Sequence, residues 1–418
     1  MKKRVLLVHY SAPSVLGGVE QVMAAHALGL RAAGWDVAIA AGSGGVPRAL
    51  HGVRLVRIAA LSSRDRAVLR DFNALARGEL RPDHRAMVAR IERALRPHVR
   101  RADRVVVHNA FTLHKNPALT EALEQLALEL PGRFVAWTHD LAWTDDQYAA
   151  QRHPGEPWDR YARATPGVRY VAVSDERARQ LAELTGLARE EIAVVPNGID
   201  LLALLGLSPA GSALAARLGL LEADPLLLLP ARLTRRKRIE AAIDATAALR
   251  SRGLAAALVV TGTPGPHNPA NAAYARELAA RAGDGVFLLH ALGVRAPYRV
   301  VADLFALADA LVLPSANEGF GIPLLEAGLQ RVPIVCSDLP ALRAVAGDAA
   351  TYVSPSATGE AIADAIVQRL ARDGAAGLRR TAKAHAWPRI VRDCVLPILE
   401  EPVNLPAPRA TRSSRGPS

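Results

Sequence analysis

Cysteine and long apolar runs are almost absent from this chain, and each absence excludes a class of protein. Its 418 residues include two cysteines, Cys336 and Cys394, which cannot form a disulfide framework and belong to no Cys-x-x-Cys zinc pattern. No apolar run reaches the roughly 18 residues that a membrane-spanning helix needs. The apolar run after the basic residues 2–4 is also too short for a signal peptide. We therefore expect a soluble cytoplasmic protein.

Lysine and aromatic residues are scarce as well. Five of the 52 basic residues are lysine, and Phe, Trp and Tyr make up 4% of the chain. The net charge is +12, and residues 1–100 carry an excess of ten positive charges. Nucleic-acid-binding proteins combine such charge with a recognition motif or with aromatic side chains that stack on bases. Because neither is present, the sequence predicts no nucleic-acid partner.

Short apolar runs alternate with helical stretches along the first 200 residues. These runs lack apolar–polar alternation, which is typical of parallel strands that are covered on both faces. Val19–Ala33 has apolar residues at helical spacing before Gly34, which predicts a first helix. We predict strands over Arg4–His9, Asp36–Ala41, Val105–His108, Phe134–Trp137, Tyr170–Val173 and Ile192–Val195.

A second series of the same kind follows residue 200. It predicts strands over Leu226–Leu229, Ala255–Thr261, Val286–Leu289, Ala310–Leu313 and Pro333–Cys336, with helices near 236–251, 269–282, 299–308 and 322–330. Two such series predict an α/β protein with two doubly wound sheets that face each other. We place the domains at 1–200 and 201–385, followed by a segment 386–401. The tail, 402–418, is rich in Pro, Arg and Ser, which predicts disorder.

The segment that follows the strand Ala310–Leu313 has the first functional pattern. Gly319 and Gly321 allow the backbone to approach a ligand, and a proline two residues later suits the first turn of a helix. The free N–H groups of a helix start favour an anionic or hydroxyl-rich ligand. Glu318 on the loop and Glu326 in the helix could each bind a pair of sugar hydroxyls. The alternative is that both are ordinary surface acids.

A basic turn, Pro230-Ala-Arg232-Leu-Thr-Arg-Arg-Lys237-Arg, follows the strand Leu226–Leu229 and precedes a helix. A guanidinium group offers a planar fork to phosphate oxygens, and an ammonium group offers a point charge. Together, Arg232 and Lys237 could neutralise a diphosphate leaving group without a metal. The alternative is a solvated basic turn.

Gly17 and Gly18 follow the first predicted strand and precede the first helix. This loop resembles a phosphate-approach loop, yet it matches neither G-x-G-x-x-G nor G-x-x-x-x-G-K-[ST]. The pattern therefore disfavours a standard dinucleotide or ATP site.

Histidines follow two other predicted strands of the first half. His139 comes directly after one of them, where an imidazole could donate to a phosphate oxygen or a sugar hydroxyl; the alternative is a structural hydrogen bond. His108 and Asn109 come after another and are candidates for an acceptor site.

In combination, these motifs resemble the retaining glycosyltransferases of family 4, which have the GT-B fold. The resemblance rests on Glu318-x7-Glu326 with its internal Gly-Phe-Gly, on Arg232 with Lys237 five residues later, on Val195-Pro-Asn-Gly-Ile-Asp200 and on Gly17-Gly18. The motifs occur in the family's order and span residues 5 to about 395. The resemblance implies two Rossmann-like domains that face a central cleft, and a C-terminal helix, 386–401, that crosses back to the N-terminal domain.

The resemblance also implies a role for each site residue. Arg232 and Lys237 would bind the donor diphosphate, Glu326 the ribose, and Glu318 the donor sugar. His139 would correspond to the family's histidine near the reacting sugar. The implied catalytic set is His139, Arg232, Lys237 and Glu318. The implied donor-binding set is Gly17, Gly18, Arg232, Lys237, Glu318, Gly319, Phe320, Gly321 and Glu326.

This chain departs from the family pattern at two positions of the basic turn. Ala231 stands where the family often has glycine, and Arg238 stands where glycine usually follows the lysine. The spacing between the arginine and the lysine is kept. The stretch Gly262–Pro269 is an elaborated loop whose role stays open.

The reaction implied is transfer of a hexose from a nucleotide diphosphate sugar, of the GDP-mannose or UDP-hexose type, with retention of configuration. The acceptor would be a hydroxyl of a saccharide, a lipid-linked sugar or a small molecule. The chain contains no Asp-x-Asp motif, so we expect no metal and no cofactor. Three alternatives remain: a nucleotide-sugar epimerase, a sugar phosphorylase, or a glycoside hydrolase that uses Glu318 and Glu326.

One predicted helix, Asp83–Arg100, is both basic and amphipathic. A helix of this kind could lie on the inner face of an anionic membrane as a peripheral contact. The alternative, which we favour, is that its apolar face packs on the sheet while its arginines are solvated. The apolar residues are Met87, Ile91, Leu95 and Val99, and the basic residues are Arg85, Arg90, Arg93, Arg96 and Arg100.

Overall fold

The computed structural model describes residues 2–265 and 268–402, which form two compact units. The first unit contains the chain up to Gly198 and again from Trp387 onward, and the second unit is Ile199–Ala386. Beyond Pro402, the predicted disordered tail lies outside the described residues.

The bounds of the strands agree with most of the predicted apolar runs. Those of the first unit are β1 (Arg4–Val8), β2 (Asp36–Ala41), β3 (Arg54–Arg57), β4 (Arg104–His108), β5 (Phe134–Thr138), β6 (Val168–Ala172) and β7 (Ile192–Val194). Those of the second unit are β8 (Leu226–Leu229), β9 (Ala257–Val260), β10 (Val286–Leu288), β11 (Ala310–Leu313), β12 (Ile334–Ser337) and β13 (Ala350–Val353).

Helices separate these strands in both units. Those of the first unit are α1 (Gly18–Ala32), α2 (Arg66–Leu75), α3 (His84–Arg101), α4 (Pro117–Glu129), α5 (Asp175–Thr185), α15 (Trp387–Ile390) and α16 (Leu396–Glu400). Those of the second unit are α6 (Leu201–Leu204), α7 (Pro209–Leu218), α8 (Ile239–Ser251), α9 (Ala270–Arg281), α10 (Tyr298–Leu307), α11 (Ile322–Leu329), α12 (Pro340–Ala346), α13 (Gly359–Ala371) and α14 (Ala376–Ala384). Short 3-10 helices cover Arg48–Leu50, Ala59–Leu61, Ala142–Thr144, Asp146–Gln151, Asp159–Ala162, Arg189–Glu191, Leu220–Glu222, Arg235–Lys237 and Gly347–Ala349.

Each unit has one parallel sheet within the described residues. The first sheet has seven strands in the order β3-β2-β1-β4-β5-β6-β7, and the second has six in the order β10-β9-β8-β11-β12-β13. Alternate residues of the central strands point to opposite faces, and both faces are apolar: Leu6 and Val105 belong to one buried cluster, and Leu7 and Val106 to another. The predicted α/β class, with two Rossmann-like doubly wound sheets, is confirmed.

Two strands were missing from the prediction. β3 and β13 are edge strands of four residues each. The ends of β3 are exposed arginines, and all four residues of β13 are only half-buried. An edge strand has one neighbour and less apolar cover, so polar residues are tolerated in it, and neither β3 nor β13 carries an uninterrupted apolar run.

The last helical segment packs on the first unit. Residues 387–400 are helical throughout, with one π-helical turn at Val391–Val395 between α15 and α16. Val391 lies against α1 at Gly29, where a Cβ atom would be 2.6 Å from a methyl carbon of Val391. The glycine therefore allows the two helices to touch at this point.

The second unit begins and ends at one place. The backbone N–H of Ile199 donates to the carbonyl oxygen of His385 at 2.8 Å, and Ile199 forms an isolated parallel bridge with Ala386. The two chain segments that enter and leave this unit are thus hydrogen bonded to each other.

The basic helix α3 packs on the sheet, as favoured above. Its residues Met87, Ile91, Leu95 and Val99 are at most 7% exposed and belong to the core of the first unit. The alternative in which this apolar face lies on a membrane is therefore wrong, because the face is already covered. Among the residues that the structure describes, no helix is long and apolar enough to cross a bilayer.

An ionic network connects α2, α3 and α4 within the first unit. His84 lies between two carboxylates, with its Nδ1 2.8 Å from Asp71 Oδ2 and its Nε2 3.3 Å from Glu121 Oε2. The buried guanidinium of Arg160 donates to Glu121 and to Glu124, each at 2.9 Å. Burial lowers the pKa of His84, but the hydrogen bonds to Asp71 and Glu121 outweigh it and raise that pKa to about 9.

Candidate functional site

A cleft of about 570 Å³ opens in the second unit where β8 and β11 end. These strands are neighbours in a parallel sheet, so the segments that follow them meet at the same edge. Arg232 and Lys237 come from the segment after β8, and Glu318 and Glu326 from the segment after β11. The structure therefore brings together the four charged residues that the sequence singled out in this half.

The turn after β8 ends at Arg238, where the family usually has a glycine. Arg238 adopts the left-handed conformation, with a φ of 48°, directly before α8. A side chain in this region costs about 1–2 kcal/mol. The guanidinium of Arg238 donates to the carbonyl oxygens of Pro355 and Ala357, which offsets this cost and fixes the turn. Arg238 thus takes the place of the glycine, and the spacing between Arg232 and Lys237 is kept.

Glu318 is a buried, ion-paired carboxylate. Its side chain is 7% exposed, and it accepts hydrogen bonds from Lys237 Nζ and, at 2.7 Å, from Ser315 Oγ. A guanidinium nitrogen of Arg236 lies 3.5 Å from its other oxygen. The alternative of an ordinary surface acid is therefore wrong for Glu318.

The loop before α11 is held by one glycine in particular. Gly321 has a φ of 98°, and a Cβ atom there would lie 2.5 Å from Leu342 Cδ2. Gly319 has no such restriction, because a Cβ atom would meet nothing within 4 Å. Within the described residues no side chain caps the start of α11, and Phe320 beside it in the cleft is 54% exposed.

Glu326 lies one turn into α11 and is half-buried in the wall of the cleft. Tyr298, at the start of α10, lies near this carboxylate, and the interaction with it raises the pKa of Tyr298. Tyr298 was not predicted. Its helix is distant in sequence, and a tyrosine at a helix start gives no signal of what it will contact.

Other lining residues were also missed. Arg236 and Thr234 come from the basic turn, and Asn268 and Asn271 come from the elaborated loop 262–269 and the helix after it. Asn271 donates to the carbonyl oxygen of Gly265 at 2.9 Å, and this contact fixes the loop against the cleft. Pro266 and His267 of this loop lie outside the described residues.

Gly17 and Gly18 start α1 in the first unit. The carboxylate of Glu20 occupies the space beside Gly17, where a Cβ atom would collide with it, and Ser11 Oγ donates to the same carboxylate. At Gly18 a Cβ atom would meet nothing within 4 Å. A side chain at Gly17 would therefore displace the Glu20 carboxylate, whereas one at Gly18 would not.

His139 directly follows β5, and its ring contacts that of a second histidine, His108. It is 8% exposed, and its Nε2 lies 3.2 Å from Nδ1 of His108, which is fully buried. His108 is thus covered by its neighbours, and its role at an acceptor site stays a prediction. The rings of His26 and Trp137 pack around His108, with centroids 5.5 and 6.2 Å away.

The protons of this histidine pair can be placed from hydrogen bonding. Nε2 of His108 is buried and has no partner among the described residues. A buried N–H without an acceptor costs more than a buried lone pair without a donor. We therefore place the proton of His108 on Nδ1, from which it donates to Nε2 of His139. The proton of His139 is then on Nδ1.

Burial also keeps these imidazoles neutral. It lowers the pKa of His139 to about 4 and that of His108 well below its usual value. His139 is consequently uncharged at neutral pH, with one N–H donor.

Asn109 is a positioning residue of the turn that carries His139. It has a φ of 62° and is 3% exposed. Its Oδ1 accepts from the backbone N–H groups of His139 and Asp140 at 2.8 and 3.1 Å, and its Nδ2 donates to Asp140 at 2.9 Å. Both ends of the amide are occupied by these contacts, and a role of Asn109 at an acceptor site stays a prediction.

Within residues 2–265 and 268–402, no group of three or more His, Cys, Asp or Glu side chains is arranged so that it could hold a metal ion.

The chain matches two family models. Residues 16–201 match the model described as Glycosyltransferase Family 4, and residues 213–385 match the model of Glycosyl transferases group 1. The first match lies mainly in the first unit and the second match lies in the second unit.

Three individual proteins illustrate the similarity. A D-inositol 3-phosphate glycosyltransferase of Nocardia farcinica is 29% identical over 267 residues, which are 56% of this chain and 58% of that protein. The O-antigen chain mannosyltransferase B of Escherichia coli is 41% identical over 90 residues, 20% of this chain and 23% of that protein. The chain thus spans less than two thirds of the curated relatives it matches. A solved glycosyltransferase structure from Rickettsia africae covers 95% of this chain and 96% of its own, at 16% identity and a TM-score of 0.35.

Proposed function

This chain belongs to glycosyltransferase family 4, and we propose that it transfers a hexose from a nucleotide diphosphate sugar to an acceptor hydroxyl with retention of configuration. The observation that carries the proposal is the cleft of the second unit, in which Arg232, Arg236 and Lys237 face Glu318 and Glu326. Cations for a diphosphate and carboxylates for hydroxyl groups are what a nucleotide diphosphate sugar requires of its binding site.

The basic residues act on the leaving group. Within the described residues, the guanidinium of Arg232 has no ion pair or hydrogen bond, so it is free to bind phosphate oxygens. Fixed positive charge aimed at a departing diphosphate is often the largest catalytic contribution. Lys237 adds to it. This set of cations supports a metal-independent reaction.

Glu318 and Lys237 exchange partners in the proposed reaction cycle. Without a donor, the ammonium group of Lys237 is paired with Glu318. When the diphosphate binds, Lys237 pairs with its oxygens and Glu318 accepts hydrogen bonds from the sugar hydroxyls. Glu326 accepts from the two ribose hydroxyls. The buried pair thus keeps both groups in place before the donor binds.

Transfer breaks the bond between C1 of the sugar and the diphosphate oxygen, and forms a bond between C1 and the acceptor oxygen on the same face. The acceptor proton passes to an oxygen of the departing phosphate, so no side chain is needed as a base. His139, neutral and with its proton on Nδ1, donates a hydrogen bond to a hydroxyl of the reacting sugar. The nucleoside diphosphate then leaves.

The named relatives support a choice of substrate class. One is named for D-inositol 3-phosphate and another is named as a mannosyltransferase. We propose a donor of the GDP-mannose or UDP-hexose type, and an acceptor that is a saccharide, a lipid-linked sugar or a small polyol.

Calorimetric titration with UDP, GDP and ADP in EDTA tests the proposal. We expect one nucleotide to bind without metal, and Glu326→Ala to weaken it about 100-fold or more, since each of two hydrogen bonds to a carboxylate contributes about 1.5 kcal/mol. Glu360→Ala is the matched control, because Glu360 is an exposed glutamate outside the cleft. If no nucleotide binds, the proposal is wrong and the hydrolase alternative gains. If binding requires metal, the metal-independent mechanism is wrong.

A further inference from the structure

A second cavity lies at the other edge of the first unit's sheet. Its volume is about 130 Å³, and it is formed where β1, β2 and β3 begin and where α3 ends. Arg4 begins β1, Asp36 begins β2 and Arg54 begins β3, and these parallel strands are direct neighbours. His139 follows the end of β5, at the opposite edge of the same sheet. The cavity is therefore separate from the residues assigned to transfer.

Three guanidinium groups line this cavity, from Arg4, Arg54 and Arg101. Within the described residues, none of them forms an ion pair or a side-chain hydrogen bond. One carboxylate, Asp36, also lines the cavity and is likewise unpaired there. The cavity thus has an excess of two positive charges.

Other arginines at the same sheet edge have partners. Arg104 donates to the carbonyl oxygens of Asp103 and Glu401, and Arg133 donates to those of Arg100 and Ala102. Arg169 donates to the carbonyl oxygen of Ile398 and the carboxylate of Glu401. The chain is rich in arginine, but unpaired arginines that share one cavity are not a general property of this edge.

His98 lies within the field of two of these arginines. Its imidazole lines the cavity beside Arg54 and Arg101. Burial lowers the pKa of His98, and the charges of these two arginines lower it further. A potential that disfavours a proton on His98 favours an anion at the same place.

We propose that this cavity binds a phosphate-sized oxyanion, either a free phosphoryl group or the phosphate of a lipid headgroup. Its volume corresponds to about four water molecules, which suits a tetrahedral oxyanion. Guanidinium groups bind such oxygens through paired N–H donors. Four of the lining residues are apolar: Val5, Leu6, Ala38 and Ala102. Among the described residues that line the cavity, side-chain hydrogen-bond donors come from the three arginines and His98. This site is distinct from the proposed donor site in the second unit.

Inorganic phosphate is the probe, and the imidazole of His98 is the local reporter. The full chain is labelled at histidine Cε1, and the signal of His98 is assigned with His98→Gln. We expect phosphate to shift this signal and to raise the pKa of His98, because the anion offsets the charges of Arg4, Arg54 and Arg101. Phosphate in the donor cleft does not affect this reporter, so the two sites are distinguished.

Two variants test the arginines. Arg54→Ala/Arg101→Ala should weaken phosphate binding at His98 about tenfold or more. Arg93→Ala, which removes an exposed arginine of the same helix outside the cavity, should leave it unchanged. If the His98 signal does not respond to phosphate, or if the double variant binds as well as Arg93→Ala, the proposal is wrong.

Vesicles distinguish the two sources of the phosphate. Phosphatidylglycerol vesicles that bind the wild type and Arg93→Ala, but not the double variant, would identify a lipid headgroup as the source. Phosphate binding at His98 without vesicle binding would identify a free phosphoryl compound. Either result supports the site.

Discussion

Alkaline pH should loosen the first unit through a single histidine. His84 is 2% exposed and lies between the carboxylates of Asp71 and Glu121, which raise its pKa to about 9. In the unfolded chain its pKa is about 6.5. Each unit of difference corresponds to about 1.4 kcal/mol, so the protonated histidine contributes about 3 kcal/mol to the free energy of unfolding.

The sign follows from the direction of the change. A group whose pKa is higher in the folded state stabilises the fold when it is protonated. The contribution of His84 is therefore fully present below pH 6.5, declines as the pH rises from 6.5 to 9, and is lost above pH 9. Replacement of His84 by glutamine keeps a hydrogen-bond donor and removes the charge. The variant should be about 3 kcal/mol less stable than the wild type at pH 6 and nearly equal to it at pH 9.5.

Urea unfolding followed by tryptophan fluorescence measures the free energy of unfolding of the first unit without interference from the second unit. All five tryptophans, Trp35, Trp137, Trp143, Trp158 and Trp387, belong to the first unit. His51→Gln is the control, because His51 is exposed. If His84→Gln loses the same stability at pH 6 and at pH 9.5, His84 is not a buried cation and the reasoning is refuted.

Two further substitutions test the site residues. Gly321→Ala should destabilise the second unit by about 1–3 kcal/mol in thermal unfolding, since its φ of 98° and the nearby Leu342 both exclude a side chain; Gly319→Ala should be neutral, and equal losses would contradict this account. His108→Leu should lower kcat about tenfold with KM for the donor unchanged, because it removes the hydrogen bond to His139. Its Tm should not fall, since a buried nitrogen without a partner is removed as well; a lower Tm with unchanged kcat would count against the proton assignment.

The donor-side cleft could be predicted because its residues follow strand ends. Arg232 and Glu318 each come after an apolar run, and the ends of neighbouring parallel strands meet by geometry. The pairing of Lys237 with Glu318 spans 81 residues and could not be read from local patterns.

The burial of His108 and Asn109 could not be predicted from the sequence, for a physical reason. His108 and Asn109 lie at the end of a strand, as His139 does. A position in the sequence does not determine whether other side chains bury a residue. Trp137 and His26 pack around His108, and they come from a different strand and a distant helix. Asn109 has a left-handed backbone, so its amide turns toward the next strand's loop. Polar residue type indicates a site only when nothing else covers the side chain.

The hydrogen-bonded junction between Ile199 and His385 has a consequence for the descent of such chains. A segment whose two ends meet is topologically an insertion, and it can be replaced as one cassette without interrupting the fold around it. The first unit would keep the packing of α15 and α16 on α1 through such an exchange. Recombination at this one point could therefore exchange the unit that contains the proposed donor cleft while the first unit is inherited intact.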